Sequence, residues 1–171
     1  MDEQSPGHSA LRKGRFSQPH TTYLVTTTTY DRTPIFRCFP AACAAARCFG
    51  DPRLLDDSHM LAWVLMPDHA HWLLQIGSGA SLNSLVNRLK SCSARHVNQC
   101  LGRSGTLWAR AYHDRALRRD EDLRAAARYV VANPLRAGLV AKVGDYPFWN
   151  AVWLQERALR AKSRAGPAPT G

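Results

Sequence analysis

The sequence predicts an α+β domain in which helices cover one face of an antiparallel sheet. Three observations lead there. Residues 21–30, Thr-Thr-Tyr-Leu-Val-Thr-Thr-Thr-Thr-Tyr, have the β-branched and aromatic composition of a strand. Two apolar runs of strand length, 60–66 and 69–76, are separated only by Pro67-Asp68. Residues 81–101 repeat their apolar side chains at helical spacing.

The elements follow in order. After the first strand, Asp31-Arg32-Thr33-Pro34 makes a turn. Residues 40–49 are alanine-rich and read as a helix, with Pro40 acceptable in its first turn and Gly50-Asp51-Pro52 ending it. The runs 60–66 and 69–76 read either as an antiparallel pair with a tight connection or as one long strand bent at a bulge. In the helix at 81–101, Leu82, Leu85, Val86, Leu89, Cys92, His96, Val97 and Cys100 form the apolar stripe, and Gly102 stops it. Residues 106–117 alternate enough for a further strand carrying Trp108 and Tyr112. Arg119-Asp120-Glu121-Asp122 opens a last helix, carboxylates in the first turn where the helix dipole favours them, running to about Ala132. Asn133-Pro134 marks a boundary, with a short helical turn expected over 135–140. The order is β-α-β-β-α-β-α.

A chain of 171 residues suits one domain with a real core. Residues 1–20 read as a loosely ordered basic arm, 21–154 as the functional domain, and 155–171 as a basic disordered tail. The net charge of +10 and pI near 10.0 favour a polyanionic partner, although a basic surface without a partner gives the same numbers. No run approaches the roughly 20 apolar residues of a membrane span, and the acidic start has no apolar signal region. A cytoplasmic protein associated with the nucleoid, with no membrane partner, is the expectation. The five cysteines show no C-x-x-C pairing and read as buried reduced thiols.

Two constellations carry chemistry. On a strand, His69 and His71 point to one face with Ala70 on the other, a spacing suited to one divalent ion. Taken alone, the pair also fits a solvated strand face. On a helix, Tyr129 and Asn133 are one turn apart and share a face. Leu123, Ala126, Ala127, Val130 and Val131 form that helix's apolar stripe, and Tyr129 lies beyond its edge, as a nucleophile or as a packing tyrosine at the core margin. A phenol attacks phosphorus well only with help. An ion held by His69, His71 and the Asn133 amide oxygen would give that help by polarising the scissile phosphate.

At these residues the chain resembles a known family. Trp63-Val64-Leu65-Met66-Pro67-Asp68-His69-Ala70-His71-Trp72 is similar to the His-hydrophobic-His motif of the HUH single-strand transposases. The segment from Arg128 through Tyr129, Asn133 and Pro134 to Val140 resembles the tyrosine helix of REP-associated tyrosine transposases, with Asn where relatives carry Gln. The 23–32 strand, Leu107-Trp108-Ala109-Arg110-Ala111-Tyr112 and Asp145-Tyr146-Pro147-Phe148 agree, so the resemblance covers about 20–153. It implies a ferredoxin-like palm and cleavage of single-stranded DNA beside imperfect palindromic hairpins, through a 5′-phosphotyrosine. It further implies Mg²⁺ or Mn²⁺ as cofactor, His69, His71 and Asn133 as ligands, and Tyr129 as nucleophile. Relatives act as monomers or as homodimers that exchange tyrosine helices. Ala70 departs from the bulkier residue usual between the histidines.

DNA contacts are expected from Arg12, Lys13 and Arg15 in the arm, and from Arg88, Lys90 and Arg95, whose helix face is otherwise simply solvated. Trp108 and Tyr112 are candidates for stacking on unpaired bases. His113-Asp114 reads as a neighbour of the site or a surface pair. Trp63 and Trp72 read as core, and Tyr23 and Tyr30 as rival tyrosines. Two other classes stand beside the transposase reading: a hairpin-binding protein of the same fold without catalysis, and a metal-dependent phosphodiesterase with a structural Tyr129.

Overall fold

The computed structural model describes residues 18–118 and 121–153. The basic arm residues Arg12, Lys13 and Arg15 and the tail at 155–171 lie outside the described residues. The chain runs β1 (Thr22–Thr28), α1 (Phe39–Phe49), α2 (Pro52–Leu55), β2 (His59–Met66), β3 (His69–Gln75), α3 (Leu82–Cys100), β4 (His113–Ala116), α4 (Leu123–Val131), α5 (Asn133–Arg136) and β5 (Trp149–Ala151). The strands form one antiparallel sheet in the order β4-β1-β3-β2-β5. The βαββαβ order with β4-β1-β3-β2 side by side is the ferredoxin-like arrangement, extended by β5 on the β2 edge.

The apolar run before Pro67 and the one after Asp68 are the two arms of a hairpin, β2 and β3. A bulge also lies in β2, because Met60 pairs with Leu74 while Ala62 pairs with the next residue, Leu73. The extra residue switches the parity of the strand. Met60 therefore joins the core on one face, whereas Ala62, Val64 and Met66 point to the other.

Helices α1 and α3 cover the first face, as the sequence predicts. There Val25, Leu65, Ala70, Trp72 and Leu74 meet Ala41, Ala45, Phe49, Leu85, Val86 and Leu89 in one buried cluster. The Phe49 ring stands edge-on to Trp72 and Trp63 at 5.1 and 5.3 Å, so Trp72 is wholly buried and Trp63 partly so. The nine-residue α4 lies on the opposite face, where Ala127 and Val130 bury against Ala62, Val64, Leu73 and Ala151. The sheet is thus covered on both sides, by two long helices behind and one short one in front, where the sequence predicts helices on one face only; the apolar stripe of α4 does not specify which face it covers.

Three expectations change. Residues 106–117 contribute a strand only at β4, because Leu107 and Trp108 are both buried and consecutive inward residues break a period of two. Only an isolated bridge from Thr29 to Trp108 remains of the earlier part. In α3 the sides of His96 and Cys100 are exposed, while Ser93 is buried instead, donating to the Leu89 carbonyl at 2.7 Å and accepting from Trp108 Nε1 at 2.9 Å. Of the five free cysteines only Cys48 and Cys92 are buried; Cys38 and Cys100 are exposed and Cys43 is intermediate. Among the described residues no helix is long and apolar enough to cross a membrane.

Candidate active site and metal centre

The β2–β3 hairpin presents the two histidines. Strand alternation turns Ala70 and Trp72 into the rear core and leaves His69 and His71 on the α4 side. Their rings lie 4.9 Å apart, centroid to centroid, and nearly perpendicular at 88°. Each ring already uses Nδ1. His69 donates to Asp68 Oδ1 at 2.6 Å, and His71 pairs with the Thr26 hydroxyl at 2.8 Å across the β1–β3 ladder. Nε2 is then the remaining ligand nitrogen on each ring, the arrangement in which neighbouring groups fix tautomer and ring orientation.

Asp68 is held in turn. Its side chain accepts from Arg32 at 3.3 Å, and its carbonyl accepts from the Thr29 amide at 2.8 Å and the Thr29 hydroxyl at 3.0 Å. Burial works against ionisation of the Asp68 carboxyl, but the His69 hydrogen bond and charge, then Arg32, hold it below the ordinary carboxylate value. His71 is pushed down to about 4, first by burial, then by the charges of His69 and Arg136. It is therefore a neutral imidazole at physiological pH, the form that ligates a cation.

Helix α4 brings the tyrosine. Asp122 caps it by accepting from the Arg124 amide at 2.8 Å. Ala127 and Val130 face the sheet, and Tyr129 stands outside the stripe with 48% of its surface exposed. Asn133 opens α5, where its amide nitrogen donates to the Tyr129 and Val130 carbonyls at 3.1 and 2.9 Å. This fixes the carboxamide and leaves Oδ1 as its acceptor, the kind of atom a hard cation takes. The Arg136 guanidinium lies 4.3 Å over the Tyr129 ring, and its charge is one of those that depress His71. Arg136 thus stacks on the phenol ring while its charge is felt at His71.

Arg136, Asp68 and Thr26 are participants the sequence reading passed over. Each had a signal: Arg136 lies two helical turns after Tyr129, Asp68 directly precedes His69, and Thr26 shares the alternating face of β1. His113 pairs with Thr26, which pairs with His71, so it lies on the same face about 10 Å away, two strand spacings over.

Several expected DNA contacts have other employment. Arg88 donates to the Leu54 carbonyl at 2.9 Å and the Ser84 hydroxyl at 3.1 Å, binding α2 to α3. Lys90 donates to the carbonyls of Ala109 and Arg110. Trp108 is 5% exposed, packed against Phe36 and Trp72 and bonded to Ser93, so its ring face is closed to a base. Tyr112 packs half-buried against the rear core, and Arg95 is exposed. Of the rival tyrosines, Tyr23 is buried and accepts from the Gln18 amide, whereas Tyr30 is exposed.

Comparison with known proteins gives the family and the fold. The family described as "Transposase IS200 like" matches residues 44–133, more than half of the chain, a stretch that encloses His69, His71, Tyr129 and Asn133. The REP-associated tyrosine transposase of Escherichia coli (strain K12) is 26% identical over 87 residues, 51% of this chain and 50% of that one. A Haemophilus influenzae protein, given the same name provisionally, is 29% identical over 98 residues, 52% of this chain and 56% of its own. The chain spans about half the length of the curated relatives it matches. A solved structure described as a REP-associated tyrosine transposase bound to a REP hairpin aligns over 99% of this chain and 89% of that one. Its TM-score is 0.61 at 20% identity, a likeness of fold. The chain belongs to the IS200-like transposase family.

Proposed function

We propose that this protein is a single-strand DNA endonuclease and strand-transferase that acts beside REP-like hairpins, with Tyr129 as nucleophile. The observation that carries the reading is that two oriented imidazoles and an exposed phenol stand on the same side of the sheet, with Arg136 stacked on the phenol ring. The names of the relatives, REP-associated tyrosine transposases, and the hairpin in the solved structure support the choice of substrate.

In this reading the Tyr129 oxygen attacks the scissile phosphorus. The new P–O bond joins phenol and 5′-phosphate, the P–O3′ bond breaks, the leaving 3′ oxygen takes a proton, and the phenol proton passes to solvent. The phosphotyrosine keeps the diester linkage, so a later 3′-OH can reverse the step on another strand. His69, His71 and Asn133 Oδ1 are the donors for Mg²⁺ or Mn²⁺, a mixed nitrogen and oxygen set that these ions accept. The bound ion supplies charge neutralisation at the phosphate. Asp68 and Thr26 hold the two rings, and Arg136 offers a second positive charge beside the nucleophile.

The test mixes the full chain with hairpin-bearing single-stranded DNA and Mn²⁺ or Mg²⁺, then looks for a protein–DNA adduct that survives denaturation. Wild type should form it, and Tyr129→Phe should not. A wild type that binds the hairpin yet forms no adduct in either metal refutes the enzyme and leaves the binding protein.

A further inference from the structure

On the sheet face turned away from His69 and His71, two thiols and an imidazole meet where α1 packs on α3. Cys48, in the last turn of α1, and Cys92, in the middle of α3, are 2% and 7% exposed, with their sulfurs 3.3 Å apart. His96 lies one turn beyond Cys92 and points back over the pair, its Nδ1 3.2 Å from Cys48 Sγ and 3.6 Å from Cys92 Sγ. The three ligand atoms all fall within 4.8 Å of one another. A tetrahedral Zn²⁺ with its usual bonds to sulfur and nitrogen separates such ligand atoms by about 3.5–3.8 Å. The triangle here needs to open by only a few tenths of an ångström at its shorter edges.

We propose that Cys48, Cys92 and His96 form a second cation site, for a thiophilic divalent ion such as Zn²⁺. The donor set separates it from the front site. Two thiolates and an imidazole select zinc-like ions, whereas imidazole with amide oxygen accepts magnesium or manganese. An open cleft of about 430 Å³, lined by Cys43, Arg47, His96 and Cys100 among others, reaches the imidazole from solvent. Of the three ligands only His96 lines it, so an ion would enter past the imidazole to reach the two buried sulfurs. The nearby Asp51 carboxylate is committed to Arg53 through bonds of 3.0 to 3.1 Å, so the fourth position falls to water. Binding releases the two thiol protons to solvent and involves no change of oxidation state. Its structural effect is to pin the end of α1 to the centre of α3.

The test titrates the reduced, metal-free full chain with Co²⁺. One equivalent should raise a thiolate-to-cobalt charge-transfer band, which Zn²⁺ then displaces. Cys48→Ser and Cys92→Ser should each remove the band, and His69→Ala/His71→Ala should leave it. His96→Ala, at an exposed position where folding is not at risk, should weaken binding by an order of magnitude or more. No band in the reduced wild type, full affinity in His96→Ala, or a Cys48–Cys92 disulfide that persists in reductant overturns the proposal.

Discussion

Along β3, Ala70, Trp72 and Leu74 point toward α1 and α3 and are completely buried. On the same strand His69 and His71 point the other way and stay partly open, with only Leu73 of that row sealed beneath α4. Alternate residues of one strand thus serve two kinds of surface. The rear is the larger, aromatic core, built around Phe49, Trp72 and Trp108. The front holds a smaller apolar cluster beneath α4 beside the two histidines, and its helix carries Tyr129 outside that cluster with 48% of its surface exposed. The strands that carry the imidazoles are thus packed from both sides, by the larger cluster behind and by α4 in front, which leaves His69 and His71 partly open.

That contrast breaks most sharply at His71. His71→Ala should lower adduct formation by roughly three orders of magnitude, equivalent to several kcal/mol of lost charge stabilisation, while the melting temperature stays near wild type. A large loss of stability with activity retained would mean that the front face is structural. Phe49→Ala should do the reverse: about 3–5 kcal/mol of stability lost in chemical denaturation, with activity per folded molecule kept. Asp68→Ala sharpens the division within the front, since it removes the partner of His69 and no ligand. Affinity for Mn²⁺, followed by calorimetry, should fall by about 10–100-fold.

The smallest effect belongs to Tyr146, which packs against both clusters and donates to the Leu65 carbonyl at 2.6 Å. Burial pushes its phenol up to about 12 from the usual 10. The unfolded chain therefore loses that proton first, and stability falls as pH rises through 10 toward 12. Tyr146→Phe should cost about 1 kcal/mol at neutral pH through the lost hydrogen bond and should flatten the alkaline decline seen in denaturant melts.

Much of this division was legible in the residues. The alternation of His69, Ala70, His71 and Trp72 already separates the two faces, and the α3 stripe marks the rear helix. What was not legible depends on partners distant in sequence. The periodicity of α4 shows that one side of it packs, but not which side of the sheet receives it. Trp108 reads as a candidate base-stacker, but its ring is buried and its nitrogen donates to Ser93. Arg88 and Lys90 fall on the polar side of their helix, yet their long stems reach carbonyls of neighbouring segments. Three-residue β5 is too short to show a period at all. The Cys48, Cys92 and His96 cluster combines two helices whose cysteines are 44 positions apart, beyond any local motif.

The fastening of the Pro67-Asp68 turn has a thermodynamic consequence. Thr29 grips the Asp68 carbonyl twice, Arg32 grips its carboxylate, and the Phe36 amide holds the Pro67 carbonyl at 3.0 Å. The loop loses its conformational freedom when the chain folds, not when a cation or a DNA strand arrives, so binding energy is not diverted into ordering it. On the proposed reading, Thr29→Val, which touches neither ligand nor nucleophile, should therefore weaken affinity through the entropy of a turn.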